Sequence, residues 1–92
     1  MSNIDANLNK LLNIKFKDLP GDCIPEITVI KNIYGNFVVT LSPAWLATET
    51  ALIDESGIGD TFEEALQDYV NKITGKTLII EEDDKEYESE VV

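Results

Sequence analysis

The ten residues from Gly57 to Leu66 read Gly-Ile-Gly-Asp-Thr-Phe-Glu-Glu-Ala-Leu and predict the passage from a loop into a helix. Thr61 and Glu64 have the spacing of a capping box, in which the threonine hydroxyl accepts from the Glu64 amide. Gly75 suits the position after the helix, because glycine readily takes the left-handed conformation found there. The segment therefore predicts a helix that begins after Thr61 and ends before Gly75. Its apolar residues follow the helical period: Phe62, Leu66, Tyr69, Val70 and Ile73.

Two segments upstream of this helix predict a β-hairpin. Residues Glu26–Ile33 are rich in β-branched side chains, and Phe37–Leu41 is a second run of strand formers. Tyr34-Gly35-Asn36 between them supplies the turn. Pro43 ends the second strand because it cannot donate to a sheet. The next residues, Trp45–Asp54, suit either a strand or a helix, and we expect a third strand over roughly Thr48–Glu55.

The two ends of the chain add further elements. Ser2–Asn13 predicts a helix with Ser2 as its N-cap, and four apolar residues share one of its faces: Ile4, Leu8, Leu11 and Leu12. Two interpretations of that face stay open: it packs on the core, or it binds a partner or a second copy. Ile14–Lys17 predicts a short strand or an extended exit, and Thr77–Ile80 predicts a last strand.

This order of elements predicts an α+β fold. We expect a two-layer domain with an antiparallel or mixed sheet of three to five strands and both helices on one face. The domain is assigned to residues 1–80, and residues 81–92 are assigned to an acidic C-terminal tail.

The composition argues against catalysis. The 92 residues include 18 acids, seven lysines, no arginine, no histidine and one cysteine. Without histidine the chain lacks the usual proton shuttle at neutral pH and the usual metal ligand. Cys23 has no histidine to activate it and lies near Asp22 and Glu26, so we interpret it as a small core or turn residue. We expect no enzyme activity, no cofactor and no metal site.

The negative charge is concentrated near the C-terminus. Residues 81–90 hold seven acids and Lys85, a net of −6 out of the total of −11. A solvated, disordered tail is one interpretation. The other is a surface that imitates the phosphate backbone and binds the basic groove of a nucleic-acid-binding protein. The candidate partner-binding residues are the acids of this stretch: Glu81, Glu82, Asp83, Asp84, Glu86, Glu88 and Glu90.

Two quoted segments carry a resemblance to a known family. Phe37-Val38-Val39-Thr40-Leu41, followed by a third strand and by Gly59-Asp60-Thr61-Phe62-Glu63-Glu64-Ala65-Leu66, resembles the HicB-like family of antitoxin-type domains. In that family, two or three strands precede a helix that starts Gly-Asp-Thr-x-Glu-Glu-Ala-Leu. The match runs from Ile27 to Ile73, about half the chain, and Ser42-Pro43-Ala44-Trp45 stands where the family has a Pro-Asp-x-Pro-Gly-Cys-like segment. The resemblance implies a sheet-and-helix fold and a protein partner. More loosely, the chain resembles small phage and prophage proteins.

These observations together predict a small, acidic, non-catalytic protein–protein interaction module of HicB-like type. Its expected partner surface is a sheet edge or the Ser2–Asn13 helix, and a homodimer is one form that such binding can take. The alternative is a DNA-mimic inhibitor of anti-restriction or anti-CRISPR type. We expect no direct binding of nucleic acid, because lysine is scarce, and no membrane segment. The expected location is the cytoplasm, or the host cytoplasm if a phage encodes the chain.

Overall fold

The α+β fold class is confirmed by a computed structural model, which describes residues 3–21 and 25–92. Ser2, the expected N-cap, and Cys23 lie outside the described residues. Among the described residues, no helix is long and apolar enough to cross a membrane. The elements in chain order are α1 (Asn3–Leu12), β1 (Glu26–Lys31), β2 (Phe37–Ser42), β3 (Trp45–Ala47), β4 (Leu52–Ile53), β5 (Gly57–Gly59), α2 (Phe62–Ile73), β6 (Thr77–Glu82) and β7 (Lys85–Glu90).

The strands form two antiparallel sheets. One sheet has three strands in the order β1-β2-β5, and the other has four in the order β4-β3-β6-β7. The chain passes from the first sheet to the second at Pro43, between β2 and β3. Because proline cannot donate to a β-ladder, the pairing of β2 ends there, and the chain starts a new strand in the second sheet.

The predicted helix after Thr61 is confirmed as α2. The Thr61 hydroxyl accepts from the Glu64 amide at 3.1 Å, and the Glu64 carboxylate accepts from the Asp60 amide at 3.2 Å. The C-cap is Thr74, and Gly75 follows it with a φ of +78°. The capping pattern of the sequence therefore correctly placed both ends of this helix.

Helix α2 packs closely against β5 because β5 presents glycine. A Cβ added to Gly57 would overlap the backbone of Ala65 and Tyr69, and one added to Gly59 would overlap that of Glu64 and Ala65. Helix α1 packs on α2, where the Asn7 side chain donates to Gln67 Oε1 at 3.0 Å. The largest fully buried side chains come from α2 and from both sheets: Tyr69, Leu66, Ile73, Leu78, Ile80 and Val39.

One predicted strand is wrong in detail, and one pair of alternatives is decided. In place of one strand over Thr48–Glu55, the structure has β3 and β4 joined by a tight turn. The Thr48 amide and hydroxyl both donate to the Ala51 carbonyl, each at 2.8 Å, and this local bonding folds the chain back. Of the two alternatives for residues 14–17, a short strand or an extended exit, the strand does not form, since no other strand pairs with them in the described chain.

The segment expected to be an acidic tail is part of the second sheet. Strand β7 pairs with β6 along its whole length, and the two strands are joined by Asp83 and Asp84, whose φ angles are +52° and +64°. Such angles at both central residues are typical of the tightest hairpin turns. Val91 is buried, and its amide donates to the Lys76 carbonyl at 2.9 Å. These contacts connect residues 81–91 to the domain.

Candidate interaction surfaces

The most exposed edge of the three-stranded sheet is β1. It pairs with β2 on one side, and no strand among the described residues pairs with its other side. An unpaired edge offers a row of backbone amides and carbonyls to any strand that approaches. At six residues, β1 is long enough to pair with a complete strand of a partner.

The opposite edge of the same sheet, strand β5, is closed by side chains of α2. The Asp68 carboxylate accepts from the Ile58 amide at 2.9 Å and from Lys72 Nζ at 2.9 Å. Lys72 also donates to the Ser56 carbonyl at 3.0 Å. The Ile58 amide, followed by the Lys72 charge, holds the pKa of Asp68 below its usual value, although partial burial opposes this. Of the two edges, β1 is therefore the one left open for another strand.

The outer face of the three-stranded sheet carries an apolar row. Val39 and Leu41 are buried on the face toward α2, so Val38, the residue before Val39, points to the outer face. Val38 lies between Ile30 of β1 and Ile58 of β5 in the strand register. Ile30 is 56% exposed and Ile58 is 49% exposed. A solvent-facing row of isoleucine and valine is typical of a surface that a partner covers.

The turn that follows β1 carries two further apolar side chains. Ile33 is 91% exposed and Tyr34 is 83% exposed. The turn is ordered by Asn32, whose side-chain oxygen accepts from the amides of Tyr34 and Asn36, each at 2.9 Å. Gly35 completes it with a φ of +87°, which glycine adopts without strain. The turn thus holds Ile33 and Tyr34 in solvent at a defined place.

An apolar groove lies at the other end of β1. It has a volume of about 480 Å³ and runs between the end of α1 and the start of β1. The rest of the apolar stripe of α1 is used internally, since Leu11 is buried and Ile4 and Leu8 pack against the core. The core-facing interpretation of α1 thus holds for these three residues. The groove is lined mainly by apolar side chains, among them Leu11, Leu12, Ile14, Phe16, Pro25 and Ile27.

The seven acidic residues predicted as a binding surface are brought together on the β6–β7 hairpin. Glu81 pairs with Glu86, and Glu88 and Glu90 continue the same face of the sheet. Asp83 and Asp84 form the turn, and Glu82 pairs with Lys85 on the opposite face. The sequence thus located the cluster, whereas the structure separates it into four acids on one face, two at the turn and one on the other face.

The sequence predicted a sheet edge as a partner surface, but the exposed apolar residues of β1 were not identified from it. The signal was present, because Glu26–Ile33 is apolar at both odd and even positions, including Ile27, Val29 and Ile30. A strand at the edge of a sheet with one face buried needs apolar residues at alternate positions only. Ile30, the additional apolar side chain of β1, therefore indicated a second contact surface.

The described residues contain no group of three or more histidine, cysteine, aspartate or glutamate side chains placed to hold a metal ion. What the geometry offers chemically is binding: an open strand edge, apolar side chains beside it, and an acidic face elsewhere. Comparison of the chain with protein-family models, with curated proteins and with solved structures finds no match.

Proposed function

We propose that this chain is a small, non-catalytic protein–protein interaction module of HicB-like type, with β1 as its partner surface. The observation that carries the proposal is the open edge of β1 with exposed Val29 and Ile30 along it and exposed Ile33 and Tyr34 after it. An added strand would satisfy the free backbone groups, while the apolar side chains would supply affinity.

The resemblance to HicB-like domains is secondary support for the proposal, whose main support is the open edge of β1. As in the HicB-like pattern, a β-hairpin precedes a helix capped at Thr61, but three short strands rather than one lie between them. The proposal extends to a cytoplasmic, phage-associated setting, because the chain has one cysteine and so forms no internal disulfide, and because it loosely resembles small phage proteins.

The test compares two matched substitutions of exposed isoleucines. Ile30→Lys places a charge on the outer face beside the open edge, and Ile53→Lys places the same charge in the other sheet. We expect the wild-type chain and Ile53→Lys to form a complex, with another copy or another protein, and Ile30→Lys to lose it. The measurements are light scattering after size exclusion and affinity capture from host lysate, with thermal melts to confirm that both variants fold.

Two results would contradict the proposal. One is a wild-type monomer that captures nothing. The other is Ile30→Lys retaining every complex that the wild-type chain forms.

The second candidate function is a DNA-mimic inhibitor. It is favoured because the acidic residues lie on a hydrogen-bonded β-hairpin and not on a disordered tail. Glu86, Glu88 and Glu90 share one face of a paired strand, so their Cα atoms are spaced by about 6.8 Å, twice the rise per strand residue. A fixed row of carboxylates suits a basic groove better than a disordered tail does, because less conformational freedom is lost on binding.

The dependence of partner binding on salt concentration distinguishes the two candidate functions. Capture through the acidic row should weaken steeply between low and high ionic strength, whereas capture through the apolar β1 edge should change little. Replacing Glu86 and Glu88 by Gln should abolish mimicry while leaving β7 in place. Deleting residues 81–92 would instead remove a strand from the sheet, so it would not be a clean test.

A further inference from the structure

We infer that the occupant of the β1 edge is a second copy of this chain, paired antiparallel about a two-fold axis at Val29. The inference rests on the proposed function, which assigns β1 as the binding surface, and adds the identity and geometry of the partner. It follows from complementary features at the two ends of β1.

Symmetry restricts the register of such a pair. A two-fold axis between antiparallel strands stands perpendicular to the sheet, so it keeps each face on the same side and pairs residues of the same face. With the axis at Val29, that residue meets its own copy, and Thr28 meets Ile30 of the second copy. Both of the exposed apolar residues within β1, Val29 and Ile30, then lie in the contact.

The ends of β1 carry a protrusion and a recess. The protrusion is the ordered turn with Ile33 and Tyr34 after the strand, and the recess is the apolar groove at its start. An antiparallel two-fold arrangement brings the end of one β1 to the start of the other. In the Val29-centred register, Ile33 lies opposite Pro25 of the second copy, and Pro25 lines the groove. Each copy therefore presents an apolar turn to the apolar groove of the other.

The charge of β1 permits this contact in a strongly acidic protein. The chain has a net charge of −11, but β1 holds one acid, Glu26, and one base, Lys31, at opposite ends. The antiparallel arrangement brings the Glu26 end of each copy to the Lys31 end of the other. The seven clustered acids belong to the other sheet, so they are not part of the paired strands.

The pairing also completes the sheet. Two three-stranded sheets joined at β1 make a continuous sheet of six strands, with β5 closed by α2 at each end. The dimer then has no open β1 edge, which is the feature that makes the monomer prone to further strand addition.

The experiment uses a cross-link at the axis. In a Cys23→Ser background, Val29→Cys places two thiols on directly opposite residues, whose Cβ atoms are about 4.5–5.5 Å apart in an antiparallel pair. We expect mild oxidation to give a covalent dimer. Ile53→Cys in the same background is the control, and we expect it to form no covalent dimer on the same treatment.

A second variant tests the turn and the groove without altering the strand. Light scattering over a concentration series should show a dimer for the wild-type chain. Ile33→Asp should weaken that dimer at least tenfold, because the substitution places a carboxylate in an apolar groove. Ile53→Asp is the matched control and should leave the affinity unchanged.

Each other outcome contradicts a defined part of the inference. A monomer at every concentration, or a dimer that Val29→Cys does not cross-link, overturns the two-fold β1 pairing. A monomer that captures a different protein in an Ile30-dependent way also overturns it, but leaves the proposed function standing. Complexes that Ile30→Lys leaves intact would overturn both.

Discussion

The backbone amide of Leu41 in β2 donates to the phenol oxygen of Tyr69 in α2 at 3.1 Å, inside the core. Strand β5 pairs with β2 only over Phe37–Val39, so the β2 edge has no strand neighbour at Leu41. The Tyr69 hydroxyl takes the place of the absent carbonyl. A helix side chain thereby completes the hydrogen bonding of the sheet on which the helix packs.

Tyr69→Phe should destabilise the domain by about 1–3 kcal/mol, because it leaves a buried amide donor without an acceptor. Urea unfolding followed by circular dichroism measures the change. Tyr34→Phe is the matched control, since Tyr34 is exposed on the turn, and it should stay within about 0.5 kcal/mol of the wild-type chain. Equal effects of the two substitutions would contradict a role for this hydrogen bond.

The same residue predicts a loss of stability in alkali. Burial raises the pKa of Tyr69 above its ordinary value of 10.0, despite the opposing hydrogen bond from Leu41. A phenol with a raised folded pKa contributes stability that is fully present below pH 10.0 and is lost as the pH rises toward the folded pKa. The difference in unfolding free energy between the wild-type chain and Tyr69→Phe should therefore narrow above pH 10.0, as measured by urea unfolding at each pH.

Gly57→Ala should destabilise the domain by about 1–3 kcal/mol, because the added methyl overlaps the backbone of α2 and forces the helix away from β5. The control is Gly21→Ala, where no described atom lies within 4 Å of the new Cβ. Thermal unfolding compares the two variants. A Gly57→Ala protein as stable as Gly21→Ala would show that the helix is not held at this distance.

Asp68→Asn should reduce stability at neutral pH, and its effect should disappear in acid. The hydrogen bond from the Ile58 amide and the Lys72 charge lower the pKa of Asp68 from 3.8. A carboxyl with a lowered folded pKa contributes stability that is present above pH 3.8 and is lost as the pH falls through the folded pKa. Urea unfolding at a series of pH values measures the difference between the wild-type chain and the variant. A difference that persists unchanged in strong acid would contradict this assignment.

Glu86→Lys should stabilise the β6–β7 hairpin. Glu81 and Glu86 lie directly opposite each other, and like charges at such positions repel. The substitution replaces that repulsion by a cross-strand ion pair, with an expected gain of about 0.2–1 kcal/mol. Glu49→Lys is the control, because it makes the same change in net charge at an exposed site in the β3–β4 turn. In urea unfolding at low salt, the increase in unfolding free energy should be larger for Glu86→Lys than for the control. This difference should become smaller as salt is added.

Local patterns were sufficient for the elements whose hydrogen bonds close within a few residues. The cap of α2 joins Thr61 to Glu64, and the first hairpin turns within Asn32–Asn36, so the residues that make each bond are near neighbours in the chain. Composition likewise located the acidic cluster, since its seven members lie within ten consecutive residues, 81–90. None of these features depends on contacts between distant segments.

Strand β7 could not be predicted in the same way. Residues 86–90 alternate charged and less polar side chains, but the charge of the strand alone is typical of a solvated tail. It becomes a strand because β6 offers a partner and because Tyr87 packs against the core. The division of β3 from β4 likewise depends on Thr48 bonding to Ala51 rather than on strand propensity.

By itself, the sequence determined the α+β class, the hairpin, the capped helix and the concentration of charge, because these follow from side-chain period and short-range hydrogen bonds. Only the tertiary structure decided which edge of the three-stranded sheet is open. Asp68, ten residues from Ile58, closes the edge of β5, whereas no strand among the described residues pairs with the free side of β1. An edge is exposed or closed according to what the rest of the chain places beside it, and that is a property of the packed molecule.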